Sequence, residues 1–168
     1  PVDGSYCNGR YRYIPIQIVD VAGLVEGAHL GRGLGNQFLD NLREADGLIL
    51  VVDVSGYTGK DGELLSEPTY DPTEDVKFVL DEIDYWIFDI LKRNFEKIVK
   101  KVKYAKEDLL ECLYSALCGL SIKKEHIKNV LLELNLLDRD VVSWTDENLF
   151  NIANKFSIET ELMDEDIK

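Results

Sequence analysis

The chain has 168 residues, 45% of them hydrophobic, and a formal net charge of −13. That length fits one domain, or one domain with a helical appendage, and the apolar fraction is enough for a core. The charge excludes general nucleic-acid binding through the bulk field, though not through a local basic patch. No apolar run approaches the roughly 18–20 residues that span a bilayer, so no membrane partner is expected.

In chain order, residues 1–10 read as a loop rich in Gly, Ser, Asn and Asp. The start, Pro1-Val2-Asp3, is not a signal peptide and lacks an initiator methionine, so the chain is expected to begin partway through a longer protein. From Tyr11 the pattern is extended, with Ile14, Ile16 and Ile18 on one face and Pro15 marking a strand start or an edge. Five glycines then fall between Gly23 and Gly35. A helix is predicted over about Leu34–Ala45, from the spacing of Phe38, Leu42 and Ala45. Residues 47–55, GLILVVDVS, form a continuous apolar, β-branched run that suits a strand buried on both faces. Strand, helix and strand together predict a right-handed crossover unit.

Residues 56–70 are predicted to be loop, with Gly59-Lys60-Asp61 as a turn. Asp71-Pro72-Thr73-Glu74 reads as a helix start, with Asp71 as N-cap and Glu74 as its capping partner. The helix behind it carries an apolar stripe from Val76 through Ile83 and Ile87 to Leu91. Further helices are predicted at about Glu96–Lys103, Glu107–Cys118, from Ser121 or Lys123 to Leu134, and Thr145–Phe156. The predicted organisation is an α/β piece over 1–60, a helical piece over 71–156 and an acidic, frayed tail over 157–168. Cys7, Cys112 and Cys118 have no metal-binding spacing and suit a reducing cytoplasm.

The chemistry concentrates at the end of the first predicted strand. Ligands of open α/β sheets bind outside the carboxyl ends of the strands. Asp20 stands at such an end, placed to hold Mg²⁺ through water. Gly23, three residues on, offers a backbone N–H that a phosphate oxygen can approach closely. Gly27, Gly31, Gly33 and Gly35 would let the loop order and disorder as that phosphate comes and goes.

The longer string, DVAGLVEGAHLGRGLGNQFLDNLREAD, resembles the Obg/YchF group of P-loop GTPases. The resemblance rests on Asp20-Val21-Ala22-Gly23-Leu24-Val25-Glu26-Gly27-Ala28 and on Gly33-Leu34-Gly35-Asn36-Gln37-Phe38-Leu39; Ala22 and Asn36 look more like YchF than Obg. Residues 71–95 resemble the helical insertion of archaeal and fungal YchF-like GTPases. The resemblance implies a partial GTPase sheet followed by an all-α insertion, with GTP, or ATP, as substrate and Mg²⁺ as cofactor. It implies that Asp20, Val21, Ala22 and Gly23 contact nucleotide, with Asp20 on the metal and the Gly23 N–H as the catalytic group on the terminal phosphate. Leu24, Gly27, His29, Gly31, Arg32, Gly33 and Gly35 would form the switch. Leucine at position 24 cannot align water by hydrogen bonding, so the implied hydrolysis runs without a glutamine there.

Two motifs that such an enzyme uses are missing from this sequence. No G-x-x-x-x-G-K-[ST] phosphate loop occurs. Asn154-Lys155-Phe156-Ser157 imitates a base-reading Asn-Lys-x-Asp but ends in serine and sits in a helical pattern. The chain therefore reads as the middle of a GTPase, expected to bind GTP poorly on its own. The alternative reading is a non-catalytic helical interaction module from a truncated or degenerate relative. Within the acidic chain, Lys92, Arg93, Lys97, Lys100, Lys101, Lys103 and Lys106 form a basic stretch interleaved with Phe95 and Tyr104. RNA phosphates, as on a ribosome, are one expected partner of that stretch; a solvated helix face is the other reading. Trp86, Tyr85 and Phe88 are expected to be packing anchors.

Overall fold

Pro72 fixes the start of the longest element. In the computed structural model, which describes residues 6–7, 9–20, 45, 49–118, 120 and 122–159, helix α1 runs over Thr73–Lys100. The Asp71 carboxylate accepts from the Thr73 N–H at 2.9 Å and from its hydroxyl at 2.8 Å, satisfying a first-turn donor as an N-cap does. Glu74 is not the capping partner expected: it pairs with Lys77 at 3.5 Å instead.

The break expected near residue 92 is absent, and α1 is one helix of 28 residues, about 42 Å long at 1.5 Å per residue. The reason is local. No Gly or Pro interrupts 73–100, and the weak helix former Asn94 turns its amide back onto the Ile90 carbonyl at 2.8 Å. The helix loosens only at its end, where Lys101–Ala105 form a π-helical turn closed by Lys106 in the left-handed region, φ 57°.

Helix α2, Leu109–Ala116, starts on Asp108, whose carboxylate accepts from the Glu111 N–H at 3.0 Å. Helix α3, Lys124–Glu133, ends at left-handed Asn135, φ 54°, where the Leu136 N–H returns to the Leu131 carbonyl at 2.8 Å. A 3₁₀ turn, Val141–Ser143, precedes α4, Asp146–Glu159. Thr145 and Asn148 make a reciprocal cap there: the Asn148 N–H donates to the Thr145 hydroxyl at 3.3 Å, and the Thr145 N–H donates to Asn148 Oδ1 at 3.0 Å. Helix α4 thus runs three residues past Phe156 into the segment expected to fray.

One core joins the four helices. Leu91 and Ile98 of α1, Leu113 of α2, Ile127, Val130 and Leu131 of α3, and Ile152 and Phe156 of α4 all bury into it. Trp86 is buried, Tyr85 and Phe88 both meet the Phe150 ring, and Trp144 stacks on Phe95 at 6.3 Å between centroids. The aromatics are packing anchors, as expected. Across the α1–α4 seam, Asn154 Nδ2 donates to Asp84 Oδ2 at 2.6 Å, while Asp84, only 2% exposed, leaves Oδ1 without a partner.

The α/β expectation fares differently. The paired strands among the described residues are β1, Tyr6–Cys7, and β2, Arg12–Tyr13, antiparallel with Tyr6 opposite Tyr13. The runs 14–20 and 49–53 form no ladder among the described residues, and Ile16 and Ile49 stand 80% and 81% exposed. An extended apolar row becomes a sheet strand only against a neighbour that takes up its N–H and C=O groups and its side chains. The predicted helix Leu34–Ala45 lies outside the described residues except for Ala45.

Phe156→Ala is expected to destabilise the helical unit by about 3–5 kcal/mol, read by urea unfolding at 222 nm. Leu132→Ala, at a half-exposed position on α3, is expected to cost no more than about 0.5 kcal/mol.

Candidate functional site

Residues 14–20 follow β2 outside any regular element and end at Asp20, whose side chain is exposed. The carboxylate therefore remains hydrated and is not sunk in apolar interior. The other expected site residues, Val21, Ala22, Gly23, Leu24, Gly27, His29, Gly31, Arg32, Gly33 and Gly35, lie outside the described residues. Among the described residues, no three His, Cys, Asp or Glu side chains gather as a metal cluster.

The end of the second apolar run is fully described, and Asp53 has a structural task there. Its Oδ1 accepts from the Ser55 N–H at 2.9 Å and its Oδ2 from the Thr58 hydroxyl at 2.6 Å. These bonds, that of Thr58 first, hold the Asp53 carboxyl below its ordinary range. Asp53 thus caps the turn that redirects the chain from the apolar run, and its oxygens are already engaged. Gly56 follows at φ 70°, where an added Cβ would sit 2.9 Å from the Tyr70 carbonyl oxygen. Glycine is required there on both counts. Gly59-Lys60-Asp61 is the expected turn, closed by the Gly62 N–H on the Gly59 carbonyl at 2.9 Å.

The loop is tied to α1 by a contact that the sequence did not suggest. Tyr70 Oη donates to Asp75 Oδ1 at 2.7 Å, and the Tyr70 N–H returns to the Gly56 carbonyl at 3.2 Å. The end of the second apolar run is thereby strapped to the first turn of the helical unit. Accepting the phenol proton's bond and repelling its loss, Asp75 pushes the Tyr70 phenol up to about 12.

The Asn-Lys-x-Asp imitation is settled by contacts. Asn154 is engaged with Asp84, Lys155 pairs with Glu133, and Phe156 is fully buried on α4. A base-reading loop needs these side chains free to face a ligand, and here they build the helix interface.

Comparison with known proteins finds clear relatives. A family model described as 50S ribosome-binding GTPase matches residues 5–82. An uncharacterised GTP-binding protein of Methanocaldococcus jannaschii is 46% identical over 153 residues, covering 90% of this chain and 37% of its own length. The ribosome-binding ATPase YchF of Mycoplasma genitalium is 31% identical over 157 residues, covering 84% of this chain and 42% of its own. The chain's homologues are thus YchF/Obg-like ATPases and GTP-binding proteins. The crystal structure of a GTP binding protein from Pyrococcus horikoshii OT3 matches with a TM-score of 0.72 at 31% identity, over 90% of this chain and 39% of that one. The chain thus spans about two fifths of the length of the relatives it matches. Among its described residues, no helix is long and apolar enough to cross a membrane.

The Tyr70–Asp75 strap gives a pH dependence of known sign. A raised phenol pKa means that the contact's contribution is complete below the ordinary value of 10.0 and is lost as pH rises through about 12. Asp75→Asn is expected to bring the Tyr70 titration, followed at 295 nm, back toward the ordinary value. A titration unmoved by Asp75→Asn would contradict the assignment.

Proposed function

We propose that this chain carries the metal-and-terminal-phosphate corner of a nucleotide-hydrolysing regulatory switch, with GTP or ATP as substrate and a ribosome-associated role. The observation that carries the reading is the string from Asp20 to Leu39 in a chain 46% identical to a GTP-binding protein. Mg²⁺ in such sites needs one or two protein carboxylates and completes its shell with water and phosphate oxygens. An exposed Asp20, in no cluster among the described residues, fits that demand. When bound, the ion would neutralise charge on the phosphates.

In this reading Asp20 holds metal-bound water and the Gly23 N–H donates to the terminal phosphate. The loop 24–35, which carries His29 and Arg32, would be the switch. Leu24 leaves water alignment to backbone or a partner. The Tyr70–Asp75 strap gives a mechanical route from the apolar run 49–53 to α1, so the helical piece 71–156 would report the nucleotide state. Support for a ribosomal partner is the description of the matching family model and the name of the Mycoplasma genitalium relative. The reducing cytoplasm is the matching compartment.

A second reading, a helical interaction module without chemistry, is favoured by one observation: the buried core of the described residues runs from Ile83 to Phe156 and takes nothing from the strands or the apolar runs before it. Nucleotide binding separates the two. In a polypeptide that joins this segment to a phosphate loop, Asp20→Asn is expected to lower Mg²⁺-dependent hydrolysis at least ~100-fold, while Leu24→Ala lowers it less than about tenfold. Hydrolysis unchanged by Asp20→Asn would overturn the proposal. The 168-residue chain alone is expected to bind fluorescent GTP no tighter than about 100 μM, since the phosphate loop and base pocket supply most contacts in such sites. Micromolar affinity of the chain alone would contradict that expectation.

A further inference from the structure

The distal end of α1 has two opposed faces. Leu91 and Ile98 are buried in the core. Arg93, Lys97 and Lys100, at i, i+4 and i+7, are all exposed and lie within about 60° of one another on the helix surface. The π-helical turn then carries Lys103 and Tyr104 outward, and left-handed Lys106 ends it. Residues 92–106 contain seven basic side chains and a single acid, Glu96, in a chain where acids outnumber bases 32 to 19.

The structure divides these cations into two groups. Lys92 is held by Asp146 at 2.6 Å, which ties α1 to α4, while Lys100 pairs with Glu96 at 3.8 Å and Lys101 with Glu107 at 3.0 Å. Arg93, Lys97, Lys103 and Lys106 have no carboxylate partner among the described residues, although the chain is rich in acids. The helix dipole accounts for Lys97 and Lys100 in the last turn of α1. It does not account for Arg93 before that turn or for Lys103 and Lys106 beyond it.

Tyr104 completes the pattern. Its ring is 75% exposed and has the Lys103 ammonium 5.8 Å from its centroid. An exposed aromatic flanked by unpaired cations is the arrangement that stacks an unpaired base while neighbouring phosphates are neutralised. We infer that Arg93, Lys97, Lys103 and Lys106, with Tyr104 as stacking platform, bind a single-stranded segment of RNA. The inference rests on the ribosome-associated reading above, but its test contains no nucleotide triphosphate, so either can fail without the other.

The test is fluorescence anisotropy of a labelled 20-nucleotide oligo(U) RNA titrated with the 168-residue chain at 50 mM KCl. Micromolar binding is expected, with a log–log salt slope of about −2 to −3, for three to four phosphates on a single strand. The triple variant Lys97→Gln, Lys103→Gln, Lys106→Gln is expected to weaken binding at least ~tenfold, and Tyr104→Ala about fivefold or more. Lys92→Gln, at an ammonium already committed to Asp146, is expected to change it less than about twofold. All of these positions are exposed, and helicity at 222 nm checks that each variant is folded. No binding at 50 mM KCl overturns the inference, as does binding that the triple variant leaves unchanged. Equal binding of a duplex with no effect of Tyr104→Ala overturns the single-strand assignment. Displacement by poly-glutamate as effective as by RNA assigns the face to an acidic protein instead.

Discussion

The seam between α1 and α4 is the constraint on which the rest of the described structure depends. Ile87 and Leu91 on one helix, and Ile152 and Phe156 on the other, leave water almost completely. Fully burying such side chains is worth about 1.5–3 kcal/mol each. The seam fixes the direction of α1, and α1 in turn decides which lysines face neighbours and which face solvent. It also determines where the Tyr70–Asp75 strap attaches. The Asp84–Asn154 pair lies in this seam, where a buried carboxylate oxygen without a partner adds cost but also ties the two helices to one register.

The apolar runs 14–20 and 49–54 are in the opposite condition. Their isoleucines and valines are largely exposed, and their backbones have no ladder partner among the described residues. A β-branched row has its proper energetic role only inside a sheet. The helical unit and the Asp20 corner thus differ in kind. The first is stabilised by contacts that the chain itself supplies. The second is a position on an extended segment, whose chemistry depends on what packs beside it. The span of about two fifths of its relatives' length agrees with that division.

Sequence patterning was most informative where the period was long and the caps were explicit. The α1 stripe, the helix start at Asp71 and the Thr145 start are all present in the structure. The merger of two expected helices into α1 was not legible, because Lys92–Phe95 carries no breaker and only the Asn94 amide bonding back to Ile90 shows how the helix continues. The strand expectation came from local pattern alone, and pairing is not a local property. At the candidate site, the Asp20–Gly35 string was legible from residue order. Asp53 stands at the end of an apolar run much as Asp20 does, and only its hydrogen bonds to Ser55 and Thr58 show that it caps a turn. The Tyr70–Asp75 strap carried no sequence signal, since a tyrosine five residues before an aspartate is unremarkable until a proline and a helix start bring them together.

Amide hydrogen exchange on the 168-residue chain tests this division most directly. Core amides of α1 and α4 are expected to exchange at least ~1,000-fold slower than unstructured peptide, and those of residues 14–20 and 49–54 within about tenfold of it. Strong protection of 14–20 and 49–54 in the chain alone, equal to that of the α1–α4 seam, would contradict the account.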